Sequence, residues 1–523
     1  MMAIRSRIVW RGKGSLKWLG WLVFSMPAGA APSEAEVVRG PYLQSLTQTN
    51  LVVQWRTSIP TRSRVAFGLE PGSLVNEVSN TTAVTNHSIM VPGLEPGTQY
   101  FYGVGDEDGL MESGDNYHFT TLPASPQPVR IWALGDVGTA SQGEPAPAQV
   151  LESYRAFTGS RATDVWLLLG DNAYSTGTDD EYQAAIFDVF GDMLRNTPVW
   201  STVGNHETYS YVPNQPWAYA EIFLPPLLGQ SGGVASGSLL YYSFDVGNTH
   251  FVCLDSELSD NKPGSPMMQW LEADLLSNSK DWLIAFWHSP PYTKGSHNSD
   301  RTSDSGGNLF EMRTNVVPVL EAHGVDLVLG GHSHNYERSY LVDGHYGTST
   351  TLQPSMLLDA GTGRPGETGA YLKSGTGPAG HQGTVYIVAG SSGWATFVTG
   401  RHPIMCEQFL RVGSLVLDID GQRLDATFLA DNGEILDTFT MLKNTPPAPF
   451  RIVGYQLAQG LPVLSWKSQA GKVYQVEHTP GLTPIDWQAI SGEITATGAT
   501  TTWTNTMPEL STEGFHRVTE LVD

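Results

Sequence analysis

Two kinds of hydrophobic patterning follow one another along the chain, and the change between them divides it. Between Val37 and Leu122, short alternating or apolar runs at 51–55, 63–67, 87–91, 99–104 and 117–121 are separated by turn clusters such as Glu70-Pro71-Gly72 and Glu95-Pro96-Gly97. A half-buried strand produces that period of two, so residues 37–122 are expected to form a β-sandwich with Trp55 in its core. Pro123-Ala124-Ser125-Pro126-Gln127-Pro128 follows as a stiff linker.

From Val129 the runs become continuously apolar and alternate with helical periodicity. Strands are expected at 129–134, 165–169, 199–203, 282–287 and 325–329, with helices at 148–157, 180–195, 266–276 and 308–323. Strands buried on both faces read this way, and the alternation indicates an α/β layered domain whose ligands bind beyond the carboxyl ends of the strands. Residues 341–382 form a Gly-rich insert. Its Gly361-Thr362-Gly363-Arg364-Pro365-Gly366 stretch has no strand-to-helix context and no following Lys-Ser/Thr, so it reads as a surface excursion and not as a phosphate loop. A strand at 384–389 and hairpins turning at Asp420-Gly421 and Asp431-Asn432-Gly433 complete the domain. A second Pro-rich linker, 444–449, leads to a smaller β pattern over 450–523.

Composition narrows the function classes. The chain has 523 residues, 40% hydrophobic and 15% charged, which suits a folded protein of several domains. The first thirty residues hold five cations and no Asp or Glu, then an apolar segment from Trp18 and a small-residue end, Ala28-Gly29-Ala30. This is the pattern of a secretory signal over 1–30, and its apolar run is too short to span a bilayer. Removing it takes the formal net charge from −23 to −28. Such a surface repels nucleic acid and anionic lipid, so a small anion would need a local cationic centre. Cys253 and Cys406 are the only cysteines, too few for a disulfide framework, and Cys253 lies in a strand-like run that suits a buried thiol.

Candidate chemistry gathers at the ends of the expected strands. Five blocks each follow an apolar run: Gly135-Asp136-Val137-Gly138, Gly170-Asp171-Asn172-Ala173-Tyr174, Gly204-Asn205-His206-Glu207, His288-Ser289-Pro290-Pro291-Tyr292 and Gly330-Gly331-His332-Ser333-His334-Asn335-Tyr336-Glu337-Arg338. One such block is ordinarily a turn; five in succession point to a shared site. In extended chain residues 332 and 334 face the same way, which can place two imidazoles on one metal. Asp136, Asp171 and Tyr174 supply anionic oxygen for a hard trivalent ion, whereas Asn205 and the histidines are neutral donors for a divalent one. A carboxylate such as Asp171 can bridge two ions that clamp a phosphoryl group and activate water.

These blocks resemble those of the purple acid phosphatases, within the calcineurin-like metallophosphoesterase superfamily, over residues 129–439. The preceding module resembles the N-terminal domain of the plant-type members, and Leu94-Glu95-Pro96-Gly97-Thr98-Gln99-Tyr100 is similar to a fibronectin type III corner in which the Tyr hydroxyl bonds back to the turn. The resemblance implies a metallophosphoesterase core (129–443), a β-sandwich flanked by helices. It implies a fibronectin type III-like domain (37–122) before the core, and the β pattern over 450–523 adds a small C-terminal β domain after it. By the same resemblance Asp136, Asp171, Tyr174 and His334 would hold Fe(III), and Asp171, Asn205, His288 and His332 a divalent Fe, Zn or Mn. Tyr174 is the discriminating residue, since its phenolate gives the family its colour. His206 and His297 would bind phosphate oxygen or protonate the leaving group. Plant-type members commonly carry a further His after the second of these, where this chain has Asn298, so Asp300 and Glu207 stand as alternative acids. Glu337 and Arg338 match the family's Tyr-Glu-Arg continuation in a structural role.

The expected activity is exported acid phosphomonoester hydrolysis by attack of a metal-bound hydroxide on a small phosphate ester. The alternatives are a phosphodiesterase of the same superfamily and an adhesive or glycan-binding β-module protein with a degenerate core. The intact ligand set argues against the last.

Overall fold

The computed structural model describes residues 34–444 and, beyond them, 452–458, 460–468, 471–481, 486–498, 500–506 and 514–521. The signal segment and residues 445–449 of the second linker lie outside the described residues.

Residues 129–444 fold as two seven-stranded sheets packed face to face with helices on both outer surfaces. One sheet runs Tyr371–Leu372, Ile435–Leu442, Arg423–Ala430, Gly413–Asp420, Val129–Leu134, Val165–Leu168, Val199–Ser201. The other runs Met405–Phe409, Tyr336–Ser339, Val385–Ala389, Leu327–Gly330, Trp282–Phe286, Thr249–Cys253, Tyr242–Val246. Parity along each strand explains the continuous apolar runs. Val129, Ile131 and Ala133 face Trp282, Ile284 and Phe286 between the sheets. Their neighbours Trp132 and Leu134 face the helices of the first sheet, with Tyr154 and Phe190, and Leu283, Ala285 and Trp287 face those of the second, with Leu271 and Leu320. Both faces of each strand are therefore dry, and no polar alternation is left to read.

The five expected strands pair in parallel within their sheets, so their carboxyl ends emerge along one edge of the sandwich. The expected helices are Ala146–Thr158, Pro266–Ser277, and two composites, Asp179–Tyr182 continuing to Asp188–Leu194 and Asn308–Glu311 continuing to Val317–Ala322. The insert differs from a pure surface excursion. Its Tyr371–Leu372 joins the edge of a sheet, Tyr371 is buried, and Lys373 shares the buried Asp326 with Lys443 at 2.7 Å each. A two-residue strand has no period to detect. Cys253 and Cys406 are both buried and free.

In the N-terminal module the runs at 51–55 and 63–67 are one strand, Leu51–Gly68, whose pairing with Asn76–Val91 shifts register between Arg56 and Thr61. Pro60 cannot donate to the ladder there, which hides the continuity. Trp55 is buried and stacked on His87, and the Tyr100 hydroxyl accepts the Glu95 N–H at 3.0 Å, the corner expected from the sequence. This module is fastened to the next. Arg39 and Arg56 both pair with Asp179, and Tyr42 packs on Phe187 among the residues that cover the first sheet. The C-terminal strands Leu461–Lys467 and Val473–Thr479 enclose a separate small core around Leu464, Trp466, Tyr474 and Val476. No helix among the described residues is long and apolar enough to cross a membrane.

His250 is buried between Asp245 (2.7 Å) and Asp274 (2.8 Å). Burial lowers its pKa, but the two carboxylates outweigh that and raise it to about 9. A raised folded-state pKa contributes stability that is complete below the unfolded value near 6.5 and is lost as pH rises through about 9. Unfolding free energies from denaturant titrations between pH 7 and 10 should therefore fall by about 2 kcal/mol, a loss that a His250→Gln variant does not show. Parallel profiles for the two proteins would refute the assignment.

Candidate metal centre

The blocks at the five strand ends converge because glycines let their backbones touch. A Cβ at Gly204 would lie 2.2 Å from both the backbone N and Oδ1 of Asp171, and one at Gly331 would lie 2.6 Å from Oδ2 of Asp136. Asp136 (φ 58°), Asp171 (φ 52°) and His332 (φ 64°) adopt left-handed backbone, a conformation that costs about 1 kcal/mol or more each and that tightly packed surroundings must enforce.

The donors form two groups that share one carboxylate. In the first, the Tyr174 hydroxyl lies 3.1 Å from Asp136 Oδ1 and from Asp171 Oδ2 and 3.4 Å from His334 Nε2, which is itself 3.2 Å from Asp136 Oδ1. In the second, His288 Nε2 lies 3.4 Å from Asp171 Oδ2, 3.1 Å from Asn205 Oδ1 and 3.2 Å from His332 Nδ1. Asp171, His288 and His332 each offer a ligand atom within 4.8 Å of the others. The left-handed turn at His332 breaks the extended geometry expected there. The two histidines of Gly331-His332-Ser333-His334 consequently face different groups instead of sharing one.

Neighbouring acceptors leave one nitrogen of each inner imidazole free for the cluster. His288 Nδ1 lies 2.9 Å from the Leu169 carbonyl, leaving Nε2, and His332 Nε2 lies 2.5 Å from Ser305 Oγ, leaving Nδ1. The electrostatics favour a cation between the donors. Burial pushes Asp171 up, but His288, His206 and the His206 N–H hold it well below the usual carboxylate range. Burial lowers His288, yet Asp171 outweighs it and keeps the imidazole charged, whereas burial and the adjacent His288 keep His332 neutral. Burial and the charges of Asp136 and Asp171 raise Tyr174 well above the ordinary phenol. Two carboxylates, a phenol, an amide oxygen and three imidazoles suit one hard and one intermediate ion.

Outside these groups, His206 Nδ1 lies 2.6 Å from the Ser175 carbonyl, which turns Nε2 to within 3.8 Å of Asp171 Oδ2. His297 stacks on His332 at 3.9 Å and its Nδ1 is 2.8 Å from Asp304 Oδ1. Both alternative acids face elsewhere. Glu207 is fully buried and accepts the backbone N–H groups of Asp171, Asn172 and Gly204, and Asp300 is paired with Lys294 and takes the Ser349 N–H. Burial and the Asp171 charge raise Glu207 to about 7. Three neighbours escaped the sequence reading: Asp304, Ser305 and Trp394, the last with its indole Nε1 3.5 Å from His334 Nε2. Trp394 was findable, since Gly390-Ser391-Ser392-Gly393 ends the strand Val385–Ala389 just as glycines end four of the other five.

Comparison with known proteins identifies two of the domains. Residues 129–336 match the calcineurin-like phosphoesterase family and residues 41–121 the N-terminal domain of purple acid phosphatases. Purple acid phosphatase 15 of Arabidopsis thaliana is 29% identical over 56% of this chain and 57% of its own length, so the chain spans little more than half of that relative. An uncharacterized protein of Mycobacterium tuberculosis is 27% identical over 71% of this chain and 74% of its own. The fold is shared with a purple acid phosphatase from yellow lupin seeds, at TM-score 0.61 and 18% identity over 78% of this chain and 75% of that one. The chain thus carries a calcineurin-like phosphoesterase domain set behind a purple acid phosphatase N-terminal domain.

Proposed function

We propose that this chain is an exported phosphomonoesterase with a dinuclear metal centre. The observation that carries the reading is the pair of donor groups sharing Asp171, the second with both its imidazoles already oriented by the Leu169 carbonyl and the Ser305 hydroxyl. Asp136, Asp171, Tyr174 and His334 would hold Fe(III), and Asp171, Asn205, His288 and His332 a divalent Fe, Zn or Mn. The two ions would polarise a phosphoryl group and, because one is trivalent, lower the pKa of water enough for an acidic optimum.

The chain's own groups then divide the remaining work. Asp304 and the Ser175 carbonyl fix the rings of His297 and His206 through Nδ1, so each presents Nε2. Those atoms can hold a phosphate oxygen or pass a proton to the leaving alcohol. Glu207 is assigned to tying the Asp171 and Asn205 loops together. Export rests on the basic-then-apolar N-terminus and small-residue end of the sequence.

Metal quantification on fresh protein, combined with a panel of phosphomonoesters and phosphodiesters, tests the reading. About two metals per chain with monoester turnover is the expected result; less than about one metal per chain, with neither ester class cleaved, would favour a degenerate core. In the same preparation Tyr174→Phe should bleach the visible tyrosinate-to-iron band. An unchanged spectrum would show that Tyr174 is not a ligand.

A further inference from the structure

Two arginines of the N-terminal module stand where strand pairing sets them against each other. Arg39, in Val37–Gln44, lies opposite Arg56, in Leu51–Gly68. Like charges directly opposite one another destabilise a sheet unless a counter-charge lies between them. Here the counter-charge is Asp179, a residue of the catalytic domain. Its Oδ1 accepts from Arg39 at 2.8 Å and from Arg56 at 2.9 Å, and its Oδ2 accepts from both as well. The Arg39 side chain is 3% exposed, reaches on to the Asp179 carbonyl at 3.1 Å and to Gln183 Oε1 at 2.7 Å, and lies over the Phe187 ring. Paired guanidinium-to-carboxylate bonds of this kind fix position as well as charge. Other contacts fasten the module independently: Tyr42 packs on Phe187, Gln44 donates to the Ile222 carbonyl and accepts the Leu224 N–H, and Ser45 donates to the Leu224 carbonyl.

What the arginines hold is the start of the short helix Asp179–Tyr182, directly after the loop that leaves Tyr174. Glu181, on the same turn as Asp179, accepts the backbone N–H groups of Ser175 at 2.6 Å, Thr176 at 3.1 Å and Thr178 at 2.9 Å. The Gly177 N–H donates to the Ala173 carbonyl at 3.1 Å, so every amide of 175–178 is engaged. The far side of the loop is equally confined, since a Cβ at Gly177 would lie 2.7 Å from the Cα of Glu207. One group of this loop faces the centre: the Ser175 carbonyl, 2.6 Å from His206 Nδ1, which sets the ring so that Nε2 points toward Asp171. A continuous set of contacts therefore runs from Arg39 and Arg56 through Asp179, Glu181 and Ser175 to the imidazole of His206.

Building on the phosphoesterase reading, which gives His206 its task, we infer that Asp179 is a positioning residue and that the N-terminal module, through Arg39 and Arg56, sets the angle of the His206 ring. The module thus takes part in turnover without touching substrate.

Hydrogen exchange and kinetics on the full chain test this at two levels. In the metal-free protein, Arg39→Gln combined with Arg56→Gln should speed amide exchange over residues 175–178 by about tenfold, while the strand Val165–Leu168 exchanges as before. In the metal-loaded protein the same double variant should lower kcat for a phosphomonoester about tenfold, the scale of a slightly misplaced catalytic group. In a His206→Ala background it should lower the residual kcat by less than about twofold, because the ring it orients is gone. Arg39→Lys with Arg56→Lys, which keeps both charges, should recover part of the loss. Arg56→Gln alone, at a side chain 22% exposed, repeats the test without disturbing the buried Arg39. A retained visible band shows that each variant still holds its metal. Unchanged exchange over 175–178 in both Gln variants, or the same fall in kcat with and without His206, would overturn the positioning role while leaving the phosphoesterase reading intact. Loaded wild-type protein that hydrolyses no ester would sink the phosphoesterase reading, and the exchange measurement would still decide whether the module holds the loop.

Discussion

Replacing Asp171 by Asn is expected to abolish turnover of a chromogenic phosphate ester, a loss on the order of 10³-fold or more. The side chain is buried and is the only one common to both donor groups. Its Oδ1 accepts the His206 N–H at 2.9 Å, a bond the amide oxygen of Asn can keep. Its Oδ2 lies 3.1 Å from the Tyr174 hydroxyl and 3.4 Å from His288 Nε2, and there the substitution sets an uncharged amide N–H among groups that need an anion. The shape survives while the bridging charge is lost. Metal content should fall together with rate, to about one ion per chain or fewer, without a comparable loss of folded protein. Near-normal turnover with two ions retained would sink the dinuclear assignment.

That charge logic was readable in the sequence because the ligand-bearing positions follow strands buried on both faces. Val129–Leu134, Val165–Leu168 and Trp282–Phe286 are apolar at every position except Arg130, whose guanidinium pairs with Asp418. The glycines at four of the five strand ends then marked where backbone must approach backbone. Legibility failed where direction, not residue type, decides. Glu207 has the composition of a catalytic acid, yet its carboxylate is spent on three backbone N–H groups. The left-handed turn at His332 sends two histidines of one short motif to opposite groups. Asp304 and Ser305 reach His297 and His332 only because Ser305 and Gly306 also turn left-handed, which no period announces. Trp394 was missed for a different reason: its strand end carries serines and glycines and no ligand type.

The same motif runs on into a folding element, and its disruption should have the largest effect on stability. Arg338 and Asp437 are both wholly buried and paired through two hydrogen bonds, 2.6 Å from Nε and 2.9 Å from a terminal nitrogen. Asp437 also accepts from the Tyr336 hydroxyl at 2.9 Å and from Arg364 at 2.8 Å, and the Arg338 guanidinium lies 4.8 Å from the centre of the Phe439 ring. Burial alone would lower the Arg338 pKa, but Asp437 outweighs it, so the guanidinium stays charged. Asp437→Ala leaves that cation in a dry interior with no counter-ion, a cost of about 3–5 kcal/mol. Arg338→Met combined with Asp437→Leu removes both charges and refills the space with apolar groups, so the double variant should recover much of the loss. Urea midpoints for the single and double variants measure this directly. A loss under about 1 kcal/mol in Asp437→Ala, or a double variant no more stable than the single one, would show that the pair does not hold the two sheets together as its burial implies.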